Sequence, residues 1–246
     1  MIAQDRLGDV AIVRLDAPPL NLLGSEMIAA LGDAMRALAG EPPRVAVLFC
    51  SGAGADVREM AGFDGSAARR FITALHESCR TIRDLDAPVI AAIDGPCLGA
   101  HLEVAAACDL RIASARSRLG MPEIKVGIPS VIDAWWLAQI CGLGHTASLV
   151  FDGEMIDAVE ANRIGLVNRV TPDAELERAA AGWAERIARY APAGLIEQKR
   201  VLRDWTEEPY LEAARRSIDR LVAAFESGQA GEAMRAMLEK REPRFS

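Results

Sequence analysis

Aromatic side chains are scarce: Phe, Trp and Tyr make up 5% of the 246 residues. The three histidines (His76, His101, His145) stand far apart, and the five cysteines (Cys50, Cys79, Cys97, Cys108, Cys141) are scattered with no C-x-x-C pair. Zinc ligands and disulfide frameworks come with close or paired spacing, so neither a metal site nor a disulfide scaffold is expected. Buried reduced thiols are expected instead. An excess of positive charge is also missing, since 28 Lys and Arg face 35 Asp and Glu for a formal charge of −7. A nucleic-acid partner needs a cationic face and is excluded as a class. No basic arm hides at the end, where ten basic residues face nine acidic ones from Lys199 onward. One uncharged run, 134–151, is long enough to raise a membrane span, but Gln139, Gly142, Gly144, His145, Thr146 and Ser148 interrupt it. It reads as buried helix, turn and helix. The opening MIAQDRLGD lacks the apolar core of a signal peptide. A soluble, cytoplasmic protein without a membrane partner is expected.

What is present is a globular composition, 51% apolar and 26% charged, in a length that suits one large domain with a small appendage. Short β-like runs, 10–15, 45–49, 89–93, 110–113 and 166–170, alternate with helical patterns. Met27, Ile28, Leu31, Met35 and Leu38 fall at helical spacing behind Ser25 as a cap; Phe71, Ile72, Leu75, Cys79 and Ile82 do so behind Ser66. The alternation predicts an α/β fold with a largely parallel sheet. After Thr171-Pro172, read as a cap with proline in the first turn, only helical stripes remain. One of them runs Leu176, Ala180, Trp183, Ile187 and Tyr190. Another runs Tyr210, Leu211, Ala214, Ile218, Leu221, Val222 and Phe225, which suits either a packed subdomain or an oligomerisation element.

Two loops of small residues carry the chemical signal. Cys50 to Asp56 follows a strand and allows close approach of backbone N–H groups to a ligand; it also reads as an ordinary strand-to-helix turn. Gly95 to Glu103 opens a strongly apolar helix, whose first amides and dipole point at whatever lies above. Glu103 there compensates the dipole or stands beside an oxyanion site. Glu123 follows another turn at Met121-Pro122. Two acids beside two small-residue loops suit proton transfer next to a developing oxyanion.

These residues resemble the enoyl-CoA hydratase/isomerase (crotonase) superfamily over nearly the whole chain. The matching pieces are APPLNL at 17–22, AGADVREM at 53–60, PVIAAIDG at 88–95, LGAHLE at 98–103, ACDLRIA at 107–113, LGMPEIKVG at 119–127, DGEMIDA at 152–158, GLVNRV at 165–170 and the segment from Glu239 to Phe245. The resemblance implies a crotonase-like α/β spiral of ββα turns over residues 1–190, holding the active site. Residues 191–246 would be a helical oligomerisation region building a homotrimer or a dimer of trimers. It further implies an acyl-CoA substrate whose thioester oxygen is held by the amides of Ala53 and Ala100, with Glu103 and Glu123 as catalytic acids. Leu20, Ala55, Asp56, Arg58, Gly99, Pro122 and Ser130 would contact the substrate. CoA enters as part of the substrate, and no metal or other cofactor is expected. Both glutamates favour hydration of a 2-enoyl-CoA; a single carboxylate would serve a double-bond isomerase, and a non-catalytic acyl-CoA-binding homologue is the further alternative.

The departures from the family are local. The loop from Phe49 to Ala53 is several residues shorter than usual, which bears on the first oxyanion donor. The usual glycine triplet is Gly99-Ala100-His101, so His101 enters as a group of the site, a tuner of Glu103 or a packed side chain. After Glu123 a glycine-rich stretch is replaced by 127–136, where Trp135 and Trp136 either reshape the acyl pocket or pack in the core or an interface. Arg58, with Lys240 and Arg241 of a neighbouring subunit, would meet the CoA phosphates. Asp56 reads as a cap that fixes its loop.

Overall fold

The computed structural model describes residues 1–245. A six-stranded sheet runs in the order β1 (Ile2–Leu7), β2 (Val10–Leu15), β3 (Val45–Phe49), β4 (Val89–Ile93), β6 (Leu110–Ser114) and β9 (Arg169–Thr171). Only β1 is antiparallel to its neighbour. A smaller sheet joins β5 (Pro96–Leu98), β7 (Arg118–Gly120) and β8 (Ile156–Asp157). Two successive turns of chain each place one strand in the large sheet, the next in the small one, and then a helix. Thus β4 and β5 lead into α4 (Ala100–Ala107), and β6 and β7 lead through the 3-10 turns 122–126 and 132–134 into α5 (Trp135–Asp152). The β3 turn shows the same plan in reduced form. Gly52 bridges to Cys97 of β5, and the chain continues into α2 (Val57–Met60) and α3 (Gly65–Asp84).

The central strands read as continuous apolar runs because both of their faces are buried. Val45, Val47, Ile90, Ala92 and Ile112 face Leu176, Ala180, Trp183 and Ala184 of α7 (Leu176–Ala188). The alternate residues Ala46, Leu48, Ala91 and Ile93 join the main core with α1 (Ser25–Gly40), α3 and α4. All eight residues of α4 are buried, so this helix has no polar face. Arg111 holds its far end, donating to the carbonyls of Ala105, Cys108 and Leu166. All five thiols are free and buried.

Four local expectations need correction. The last strand is Arg169–Thr171 rather than 166–170, because Leu166 and Val167 are buried in the preceding loop. Gly24, not Ser25, caps α1, and the Ser25 hydroxyl bonds Glu59 instead. Asp64, not Ser66, caps α3 by accepting from the Ala67 amide at 2.7 Å. Pro172 is extended and precedes a 3-10 turn, Asp173–Glu175, so α7 begins only at Leu176 and ends before the exposed Tyr190.

The 134–151 run is one helical element broken at Gly142, which adopts φ +81°. Among the described residues no helix is long and apolar enough to cross a membrane. Beyond α7, α8 (Pro192–Glu207), α9 (Tyr210–Glu226) and α10 (Gln229–Glu239) pack against one another. The buried Lys199 of α8 anchors them to the core through the carbonyls of Ile82 and Ala87 and an ion pair to Asp109 at 3.0 Å. The apolar stripe of α9 is uncovered in the single chain, with Leu211, Ile218, Leu221 and Phe225 all exposed.

Candidate active site

Two adjoining cavities, about 400 and 320 Å³, lie above the N-terminus of α4 and share Ala55, Met60, Glu123 and Ile128 as walls. The larger is apolar, with Phe63, Phe71, Ile72 and Leu75 along one side and Val131 on the other. Glu103, Ala100 and Ser130 also face it. The smaller opens between the Ala53–Ala55 loop and the turn that carries Pro122 and Lys125, with Gly99 at its base.

Glu103 reaches the larger cavity from the first turn of α4 and is 4% exposed. Its Oε1 accepts the Ala134 N–H at 3.2 Å. Burial, the nearby carboxylates Glu123 and Asp133, and only one opposing hydrogen bond push its pKa up to about 8. Glu123, in the 3-10 turn Pro122–Val126, is half-buried, and its Oε2 accepts from the Ser130 hydroxyl at 3.0 Å. Desolvation raises its pKa as well. Two like charges at one cavity resist simultaneous ionisation, so the pair favours holding one proton.

The close approach of Glu123 depends on Gly99. That residue adopts φ +51°, and a Cβ on it would overlap the Glu123 Oε1. The same conformation turns the chain into α4 and leaves the Ala100 amide in the first turn, where among the described residues no protein acceptor takes it. The Ala53 amide differs, for it donates to the Leu20 carbonyl at 3.0 Å. Leu20 itself is exposed and lines neither cavity. Its loop is fastened by Asn21, whose side chain accepts from the Ala17 amide and donates to the carbonyls of Leu15 and Ser51.

His101 points away from both cavities. Its ring is fully buried against Gly52, where a Cβ would collide with Cε1 and Nε2, and its Nδ1 accepts the Gly54 N–H at 3.3 Å. That bond puts the proton on Nε2, which has no partner among the described residues. Burial alone lowers the His101 pKa to about 3, so the ring stays neutral.

Of the other expected contacts, Ala55, Gly99, Pro122 and Ser130 line the cavities, whereas Asp56 and Arg58 do not. Asp56 caps α2 by accepting from the Arg58 amide at 2.9 Å, as its loop-fixing role predicts. Arg58 is exposed beside the mouth. Arg241, just past the end of α10, is engaged with Glu232 and Glu239 of that helix. Neither tryptophan lines the acyl cavity: Trp135 is half-exposed, and Trp136 packs edge-on against it and donates to Asp133.

Asp133 is the residue that sequence reasoning left without a role. Its carboxylate has no exposure and accepts from Arg83, from His76 Nδ1 at 2.8 Å and from Trp136 Nε1 at 3.1 Å. It directly precedes the amide that holds Glu103, and Ile132 before it adopts φ +42°, rare for a β-branched residue. An acid amid bulky residues where glycines are usual was the only hint in the sequence.

A family model described as enoyl-CoA hydratase/isomerase matches residues 5–246. A short-chain-enoyl-CoA hydratase of Clostridium acetobutylicum is 31% identical over 96% of this chain and 94% of its own. Among solved structures, an enoyl-CoA hydratase of Mycobacterium smegmatis superposes with a TM-score of 0.94 at 28% identity, covering 99% of this chain and 98% of that one. DspI of Pseudomonas aeruginosa does so with a TM-score of 0.94 at 28% identity, covering 100% and 96%. The spiral of ββα turns, the paired carboxyls at one cavity and the match along the whole chain agree, and the chain belongs to the enoyl-CoA hydratase/isomerase family.

Proposed function

We propose that the protein is an enoyl-CoA hydratase, a lyase that adds water across the 2,3 double bond of a 2-enoyl-CoA to give a 3-hydroxyacyl-CoA. The observation that carries this reading is the convergence of Glu103, Glu123 and the free Ala100 amide on one apolar cavity. Water held between the carboxyls attacks the β-carbon as ionised Glu103 takes its proton. The electron pair of the double bond moves toward the thioester, and charge grows on the carbonyl oxygen. The Ala100 amide meets that charge, and Ala53 joins it once its bond to the Leu20 carbonyl is shared or released. Such donors are each worth about 3 kcal/mol in comparable sites. Protonated Glu123 then delivers a proton to the α-carbon. Dehydration reverses the roles: protonated Glu103 gives its proton to the departing hydroxyl while ionised Glu123 takes the α-proton.

The acyl chain would occupy the cavity walled by Phe71, Ile72 and Leu75, with CoA leaving past Ala53–Ala55 and its phosphates near Arg58. The chemistry calls for proton transfer and carbonyl polarisation only, so no metal or further cofactor is assigned. Residues 1–190 form the catalytic unit in this reading, and 191–246 assemble a homotrimer or dimer of trimers, a role the uncovered stripe of α9 supports. A cytoplasmic location suits five free thiols.

Loss of the conjugated thioester absorbance of crotonyl-CoA tests the activity. Glu103→Gln and Glu123→Gln should each lower kcat by about 10² or more. Full turnover in either variant would overturn the two-acid mechanism. Conversion of 3-enoyl-CoA alone would assign an isomerase, and binding without turnover of either substrate would assign a non-catalytic homologue.

A further inference from the structure

Glu103 and Glu123 leave one buried carboxylate beside the cavity unexplained. Asp133 contributes no wall to the cavity, yet three elements converge on it. Arg83, His76 and Cys79 face it from α3, Glu103 from α4 and Trp136 from α5. Arg83 also lies over the Trp136 ring at 5.1 Å, so its guanidinium is held between the carboxylate and the indole. A buried carboxylate without donors would be costly, and here two of the three donors come from α3 and the third from α5. The pairing therefore ties the turn 132–134 to α3. That turn needs tying, since Ile132 sits at φ +42° and relaxation there would rotate the next amides. The amide two residues on, Ala134 N–H, is the one protein donor on Glu103 Oε1 among the described residues.

We propose that Asp133 is a positioning residue for catalysis. Clamped by Arg83, His76 and Trp136, it fixes the turn whose Ala134 amide orients the Glu103 carboxyl toward substrate, and it supplies a fixed negative charge behind that carboxyl. This rests on Glu103 being the group that exchanges a proton with water. Asp133 never meets substrate; it acts through Glu103. Its charge and the Ala134 hydrogen bond oppose each other at Glu103, and the charge has the larger effect.

Asp133→Asn keeps the volume and one acceptor and removes the charge. The expected result is a kcat for crotonyl-CoA hydration lowered by about tenfold or more with KM changed less than about threefold. The Glu103 titration, followed by carbon-13 NMR of the glutamate carboxyls in the free protein and assigned with Glu103→Gln, should move to lower pH. A purely structural role would leave that midpoint in place. His76→Ala removes the half-exposed clamp from the outside and keeps the test decisive if the Asn variant does not fold. It should lower kcat by about twofold to fivefold at unchanged KM, and by nothing further in the Asp133→Asn background, the non-additivity expected of one linked unit. A wild-type Glu103 midpoint in Asp133→Asn, additive losses in the double variant, or wild-type kcat in His76→Ala would each overturn the proposal. A wild type that hydrates no 2-enoyl-CoA, but whose Glu103 midpoint still shifts in Asp133→Asn, would sink the hydratase reading and leave the positioning role standing.

Discussion

The Nδ1 of His101 accepts the backbone N–H of Gly54, joining the first turn of α4 to the loop that carries Ala53. One imidazole thus spaces the two segments expected to hold the thioester oxygen. His101→Asn retains an acceptor near Nδ1, whereas His101→Leu fills the space without one. The Leu variant should lose about tenfold or more in kcat/KM for crotonyl-CoA, and the Asn variant should recover part of the loss. Equal activity in the two would show that only volume matters at this position.

The same ring should make the protein acid-sensitive. His101 titrates near 3 when folded against 6.5 in an unfolded chain. Between those values the unfolded state binds more protons, so this residue's contribution to stability falls as pH drops from 6.5 toward 3. The slope is about 1.4 kcal/mol per pH unit. Urea unfolding at pH 7 and pH 5 should show a smaller loss on acidification in His101→Asn than in wild type.

Burial favours the proton on Glu103 in the empty site, which is the form that dehydration needs. Hydration uses the other tautomer of the same singly protonated pair, with the proton on Glu123, so both directions draw on one ionisation state of the free enzyme. Because hydration consumes no net proton, kcat/KM for crotonyl-CoA and for 3-hydroxybutyryl-CoA should follow one pH profile, and both should decline as the pair loses its remaining proton near pH 8. Rate profiles in both directions, taken from about pH 5 to about 9.5, the span across which such a carboxyl titrates, check this. Rates that stay level through that range in both directions would contradict the assignment of the pair as a one-proton acid and base.

Gly99→Ala should be severe for two separate reasons. The residue sits at φ +51°, and the added methyl would overlap the Glu123 carboxylate. A kcat loss of about 10² is expected, with destabilisation on the order of 1 kcal/mol. A crystal structure of the variant should find the Glu123 side chain displaced.

Charge placed on the α9 stripe should break the assembly and spare the fold. Ile218→Asp combined with Leu221→Asp puts two carboxylates on positions 65% and 61% exposed in the single chain. Light scattering should report a trimer or hexamer for wild type and smaller species for the variant, with unchanged far-UV circular dichroism. A monomeric wild type would remove the assembly role of 191–246.

The central strands were legible because burial on both faces leaves an unbroken apolar run, as in Val45–Phe49 and Val89–Ile93. The small sheet was not, since strands of two or three residues are too short to show a period. Glu103 and Glu123 stood out through resemblance and through their small-residue loops. The bond from Ala53 to Leu20 depends on how two loops cross, and the Asp133 clamp depends on Arg83, 50 residues earlier in the chain. Neither follows from local pattern.

The all-buried helix α4 constrains how such a protein diversifies. From Ala100 to Ala107 every side chain is buried, so a change anywhere along it disturbs the catalytic framework before it alters selectivity. The cavity walls supplied by Phe63, Ile72 and Val131 are only partly buried and have room to vary. Adaptation to longer, branched or bulkier acyl chains would accumulate on those walls while the helix beneath stayed unchanged.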